Sequence, residues 1–380
     1  MSGPLDGVRV LEFAGMGPGP FAVMMLADMG AEVVRIDRLG GGASAGQPEL
    51  NPIHRGRRSI AMDLKHPAAI EAVLRLAGLA DALIEGFRPG VMERLGLGPD
   101  VCAKTNERLV YARVTGWGQD GPYAALAGHD INYIAVAGAL DPIGRAGGPP
   151  AVPVNLLGDY AGGAMFAAFG VACALFETRK SGKGQVVDVS MVDGAAMLTT
   201  TLHWMRAAGR WNDERGTNRL DSGAHFYDVY ETADGRYVSI GSIEPQFYAE
   251  LRRVLGLTGP QWDSQGDRAA WPGLKEELAV IFRTKTRDEW CQIFAAAGDA
   301  CFAPVLSLAE APADPHNVAR GTFMTRDGIT VPAPAPRLSR TPAAAGGRPA
   351  APGQHTLEVL GDWGFGAEEI SELRGSGAIR

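Results

Sequence analysis

Three polar residues in this sequence stand where proton transfer could be organised. His129 lies in Gly128-His129-Asp130-Ile131-Asn132-Tyr133, just ahead of an apolar run with helical spacing. Asp159 lies in Asn155-Leu156-Leu157-Gly158-Asp159-Tyr160-Ala161-Gly162-Gly163, just ahead of a second helix rich in small residues. A helix start presents unpaired N–H groups and the positive end of the backbone dipole. The plainer account is that Asp130 and Asp159 are ordinary N-caps and that His129 packs beside one of them. The chemical account begins with removal of a proton next to a thioester carbonyl, which generates an enolate whose oxyanion those N–H groups could receive. A neutral imidazole on one face of the α-carbon and a carboxylic acid on the other could take a proton and return one. The helix field would keep His129 neutral. For Asp159 the same field favours the carboxylate, while burial among Tyr160, Met165 and Phe166 favours the acid, and the sequence leaves that balance open. Glu244, in Gly241-Ser242-Ile243-Glu244-Pro245-Gln246-Phe247-Tyr248, reads either as a capping acid or as a carboxylate that orients and supports His129.

Basic residues concentrate early in a chain whose net charge is −7: Arg35, Arg38, Arg55, Arg57, Arg58, Arg88 and Arg94, with Lys65 nearby. Each alone reads as a solvated surface charge. Together, with Arg38 past one strand and Arg88 in the loop after another, they suggest a multiply phosphorylated ligand, because the guanidinium fork donates two hydrogen bonds at once. The turn Gly15-Met16-Gly17-Pro18-Gly19-Pro20, with Asp37 ending the next strand, invites a dinucleotide-binding reading. Pro20 stands where the fingerprint needs its third glycine, and Pro18 and Pro20 lack the N–H groups a pyrophosphate would use. The turn reads instead as a plain strand-to-helix connection.

The elements that must position these residues alternate. Strands are expected at Val8 to Phe13, Glu32 to Ile36, Ser59 to Leu64, Ala82 to Ile84, Leu109 to Val114 and Gln185 to Val189, with helices at Pro20 to Met29, Ala68 to Leu79 and after Asp159. That order implies a parallel, doubly wound sheet. Met191 to Arg206 reads as a helix, Tyr227 to Ile240 as an antiparallel hairpin, and Gln246 to Leu255 and Arg287 to Ala297 as helices. The expected organisation is a large Rossmann-like α/β domain over 1–190, completed by 330–380, and a smaller α+β domain over 226–310. Linkers fall at 191–225 and 311–329, and the Pro- and Ala-rich stretch 311–352 should run extended.

At 380 residues with 46% apolar and 21% charged residues, this is the composition of a folded two-domain protein. The acidic balance argues against nucleic acid as a partner. Four cysteines without CxxC spacing suit a reducing compartment, and no signal peptide is visible, so a cytoplasmic location is expected. The apolar segment Ala161 to Phe176 reads as a buried helix rather than a membrane span. No metal-ligand spacing is present.

With these segments laid out, the chain resembles the class III CoA-transferase family, and within it the branch that racemises 2-methylacyl-CoA thioesters. The matching stretches are PLDGVRVLEFAGMGPGP (4–20), GAEVVRIDR (30–38), EGFRPGVMERLGLGP (85–99), YARVTGWGQDGP (111–122), GHDINY (128–133), NLLGDYAGG (155–163), SGKGQVVDVSMVDG (181–194) and GSIEPQFY (241–248). The resemblance implies the fold of that family and an interlocked homodimer, each site lying between the large domain of one subunit and the small domain of the other. It implies that His129 and Asp159 transfer protons and that Glu244 supports the histidine. It assigns CoA contacts to Arg38, Met62, Asp63, Leu64, Lys65, Gly86, Phe87, Arg88, Arg94, Gly128, Asp130, Ile131, Asn132 and Tyr133. No separate cofactor is implied, since coenzyme A arrives with the substrate. Met191 and Met197 are candidates for an adaptable acyl-binding surface, with ordinary core packing as the plainer account. Three departures stand out: Met62 where the family usually has a small residue, His225 where proline is common, and the glycine-rich loop Leu39 to Asn51. The rival activity is CoA transfer with Asp159 as nucleophile. A non-catalytic acyl-CoA carrier would leave the three polar residues idle.

Overall fold

A computed structural model describes residues 3–40 and 51–380, so most of the glycine-rich loop Leu39 to Asn51 lies outside the described residues. Six strands, β1 (Arg9–Phe13), β2 (Glu32–Arg38), β3 (Arg57–Met62), β4 (Ala82–Glu85), β5 (Val110–Thr115) and β6 (Val186–Ser190), form one sheet in the order β3-β2-β1-β4-β5-β6. Every pairing is parallel. Val10, Leu11, Val34, Leu83, Val110 and Ala112 are completely buried, so the central strands have two covered faces and read as continuous apolar runs.

Helices Pro18–Asp28 and Met165–Ser181 cover one face of this sheet. Helix Pro67–Leu79 covers the other, joined by helices Thr356–Asp362 and Ala367–Gly375, which bring Val359, Leu360, Trp363 and Leu373 onto Ile60 and Met62. Ion pairs pin the edges of the layers. Arg35 bonds Asp37 at 2.7 Å, Arg55 bonds Asp28 through Nε at 2.9 Å, Arg57 bonds Glu12, and Arg58 reaches Glu32 at 2.5 Å. Helix Met165–Ser181 packs through Ala167, Val171, Ala174 and Leu175, but Phe169 and Phe176 are 69% and 62% exposed, so the helix expected to be buried is buried on one face only.

The chain separates into two compact units, one of residues 1–137, 154–198 and 324–380, the other of 138–153 and 199–323. The second holds an antiparallel sheet of Tyr227–Glu231, Tyr237–Gly241 and Phe302–Pro304. Helices Pro245–Leu255, Trp271–Phe282 and Arg287–Ala297 pack on it around Trp262, Phe282 and Trp290. His225, one of the departures, is buried beside Tyr248, its Nε2 2.8 Å from the hydroxyl.

Several segments differ from expectation. Residues 138–153 belong with the second unit, where Arg215 bonds the Asp141 carboxylate at 2.7 Å and the Gly148 carbonyl at 2.6 Å. The helix expected over Met191 to Arg206 is two, Met191–Leu198 and Thr200–Ala207, and the units divide at that break. Helix Trp271–Phe282 was hidden by Pro272 and Gly273, which read as breakers but sit harmlessly in a first turn. The stretch 311–352 is not uniformly extended: it holds helix Pro315–Arg320 and the strands Phe323–Arg326 and Ile329–Pro332. Asp327 and Gly328 turn that hairpin in left-handed conformations, the Asp-Gly signal for a tight turn.

Candidate active site

Strand order reverses between β1 and β4, so the chain leaves those two neighbours in opposite directions and opens a crevice at their carboxyl ends. A cavity of about 650 Å³ lies there. The turn after β1 (Gly15 to Pro20) and the loop after β4 (Gly86 to Pro89) form its walls, together with Trp117, Gly128, His129, Tyr133, Asn155, Asp159 and Met191. His129 and Asp159, thirty positions apart in sequence, thus face one space.

His129 is the N-cap of helix Asp130–Val136 and is exposed. Asn132 Oδ1 accepts from the His129 N–H at 3.0 Å and fixes the entry of the chain. The Tyr133 ring meets Trp117 edge to face at 4.8 Å, and its hydroxyl donates to the Gly128 carbonyl, anchoring the turn before the histidine.

Asp159 is not the N-cap that the sequence suggested. It sits inside a π-helical segment, Leu156–Ala164, which runs on into helix Met165–Ser181. Wide turns of this kind occur often at functional sites because they re-aim one side chain. Asp159 is half-buried, and Asn155 Nδ2 donates to its Oδ2 at 3.1 Å. Its pKa is raised: burial is the largest cause, and the Asp130 charge adds to it, against the Asn155 hydrogen bond and His129, which lower it. In the balance left open by the sequence, burial therefore outweighs the groups that lower the pKa.

Gly17 explains the turn that appeared plain. Its φ is +71°, and a Cβ there would stand 3.4 Å from Asp159 Oδ2. Glycine is needed for the left-handed backbone, and the turn it makes lies within van der Waals reach of the carboxylate. The missed signal was a glycine-rich turn at a central strand end, which here passes beside the Asp159 carboxylate.

A second cavity, of about 630 Å³, shares Phe13, Gly15, Met16, Gly86 and Phe87 with the first and extends the groove along the strand ends. Arg38, Asp63, Leu64 and Lys65 line it. His54 lines it too, with its pKa lowered to about 3, first by burial and then by Arg57 and Arg35. Of the eight basic residues singled out, Arg35, Arg55, Arg57 and Arg58 are consumed by the ion pairs described above. Arg38, Lys65 and Arg88 are exposed, line the groove and have no carboxylate partner among the described residues. Arg94 is exposed beside Gly90, outside the lining of either cavity.

Two expected CoA contacts need correction. Met62 is fully buried in the core, so its side chain offers nothing to a ligand, and its larger size is absorbed by packing. Asp130 is 5% exposed, and its carboxylate is spent on backbone N–H groups. Ile131 and Asn132 are exposed at the helix start. Met191 lines the first cavity, and Met197 lines neither. Glu244 lies in the second unit, exposed at the N-cap of helix Pro245–Leu255, and makes no side-chain capping bond.

The parallel sheet thus carries a groove at its switch point, lined by basic residues along one end and by Asp159 and His129 at the other. The chain belongs to the CoA-transferase family III, whose profile matches residues 5–356. It is 49% identical over 372 residues to alpha-methylacyl-CoA racemase of Mus musculus, covering 97% of this chain and 96% of that protein. To alpha-methylacyl-CoA racemase of Homo sapiens it is 46% identical over 371 residues, with the same coverage of 97% and 96%. Among solved structures it is similar to Rv3272 from Mycobacterium tuberculosis, with a TM-score of 0.79 and 29% identity, covering 94% of this chain and 99% of that one.

Proposed function

We propose that this protein is a racemase that interconverts the 2R and 2S epimers of 2-methylacyl-CoA thioesters, with no cofactor beyond the coenzyme A of its substrate. The observation that carries this reading is the pairing of His129 with an Asp159 of raised pKa in one cavity. The extensive identity with two relatives named as racemases supports it. His129 removes the α-proton from one face, the C–H electron pair passes into the enolate, and Asp159 delivers its own proton to the other face. The reverse direction exchanges the roles. Gly158 and Asp159 have their N–H groups engaged by Asp130, so neither is free to receive the enolate oxygen.

The groove gives the rest of the substrate its place, with the thioester beside His129, pantetheine along Gly86 and Phe87, and phosphates at Arg38 and Lys65. Removing a charged partner from a phosphate costs about 1.5–3 kcal/mol. Arg38→Gln and Lys65→Gln should therefore each raise KM by about 10- to 100-fold and leave kcat nearly unchanged, as steady-state kinetics in constant salt will read.

In this proposal Glu244 comes from the second unit of a partner subunit and supports His129 in an interlocked homodimer. The exposed Phe169 and Phe176, beside edge strand β6 with its exposed Val186, are the surface such a partner would cover. Free thiols at Cys102, Cys173, Cys291 and Cys301 suit a cytoplasmic setting. Light scattering at micromolar concentration should return twice the chain mass.

The deciding experiment incubates a single epimer of a 2-methylacyl-CoA in D2O. α-Deuterium incorporation with loss of stereochemical purity is expected. Transfer of CoA to a free acid without exchange would favour the transferase reading, with Asp159 as nucleophile.

A further inference from the structure

We propose that Asp130 is a positioning residue: its buried carboxylate ties the helix that begins with His129 to the π-turn that carries Asp159, and so sets the spacing of the two proton-transfer groups. Asp130 Oδ2 accepts from the Gly158 N–H at 2.6 Å and from the Asp159 N–H at 2.7 Å. One oxygen thus holds two consecutive amides of the segment whose fourth residue is Asp159. Asp130 adjoins His129 in sequence, so each reacting group is one residue, or one hydrogen bond, away from the same carboxylate. Its other oxygen, Oδ1, is buried without a hydrogen-bond partner. A buried charge left half-satisfied is expensive and is retained where the other half does something specific.

Racemisation needs the two groups on opposite faces of a single carbon, and a displacement of about 1 Å can cost about 10²-fold in rate. Two separate helices would drift against each other without a link. Gly158 is part of the same device: a Cβ there would lie 2.7 Å from Asp130 Oδ2, so only glycine admits the carboxylate. The brace also acts on chemistry. A negative charge held against the Asp159 turn favours the protonated form of that acid. Other titratable groups on elements packed against the turn are His129, Tyr133, Asp193, Asp188, Tyr111, Arg113 and Asp28, with Cys173, Glu177, Arg179 and Lys180 on helix Met165–Ser181. Asp28 is held by Arg55 and Arg113 by Glu85, and among the carboxylates it is Asp130 whose charge raises Asp159.

The inference rests on Asp159 as a proton-transfer group, and the test separates the two. Asp130→Asn keeps the shape and an acceptor but removes the charge; Gly158→Ala keeps the charge but displaces it. Exchange in D2O and racemisation are followed from pH 5 to 9 for each, beside Asp159→Asn. Asp130→Asn should move the limb of the kcat profile that belongs to Asp159 to lower pH, with KM within about twofold. Gly158→Ala should lower kcat by about 10²-fold in both directions, with KM again little changed. An unshifted limb in Asp130→Asn with kcat intact overturns the proposal, and so does a rise in KM at constant kcat, which would make Asp130 a substrate contact. Full exchange by Asp159→Asn from both epimers would instead overturn the underlying pair.

Discussion

In the His129→Ala protein, racemisation should fall by about 10²–10⁴-fold in both directions, the usual contribution of one acid–base group, while exchange of the α-hydrogen should survive from one epimer only. The asymmetry follows from the two faces. The epimer whose proton points at residue 129 has lost its base and neither exchanges nor inverts. The other still meets Asp159, which can remove the proton, exchange with solvent and return deuterium to the same face. Single-turnover incubation of each pure epimer in D2O, read by mass and by chiral analysis, distinguishes these outcomes. Equal and mild losses for both epimers would rule out a two-base arrangement. An enzyme acting through one base would lose exchange from both epimers together.

This asymmetry depends on a geometry that was only partly legible in the sequence. The strands of the large sheet could be read because Val10, Leu11, Val34 and Leu83 are buried on both faces and leave unbroken apolar runs. Helices Pro245–Leu255 and Arg287–Ala297 carried their periodicity and starting signals openly. What depended on distant partners was hidden. Of the basic residues that looked available for phosphates, Arg55, Arg57 and Arg58 are neutralised by carboxylates 27, 45 and 26 positions away, and Arg35 by Asp37 on its own strand. Asp130 looked like a cap or a CoA contact because the amides it binds lie 28 and 29 residues on. The π-turn was invisible for a related reason: nothing local marks Leu156–Ala164 as wider than an ordinary helix. Gly17 was in plain view, but its purpose required knowing that a carboxylate would approach it. The pairing of His129 with Asp159 followed from resemblance rather than spacing, and the fold supplies the common cavity that spacing could not.

Asp159→Asn should produce the mirror image of the histidine variant, with inversion lost and exchange retained only from the epimer that faces His129. It should also unfold at a slightly higher temperature than the unaltered protein at pH 7. The raised pKa means that the folded chain holds this proton more tightly than the unfolded chain does. The stability from that grip is full below the unfolded value, about pH 4, and is lost as pH rises through the folded value. At neutral pH the folded state therefore holds this carboxyl group less favourably than the unfolded chain does, a penalty that asparagine removes, while its amide oxygen can still accept from Asn155. Because the group is only half-buried, solvent screens much of the effect, and a gain of about 1–3 °C is expected, vanishing near pH 4. Loss of inversion together with a pH-dependent gain in stability would mark Asp159 as a group strained for its reaction. An unchanged or lower midpoint at pH 7 would mean that the Asn155 bond and His129 outweigh burial, and would count against Asp159 as the resting acid.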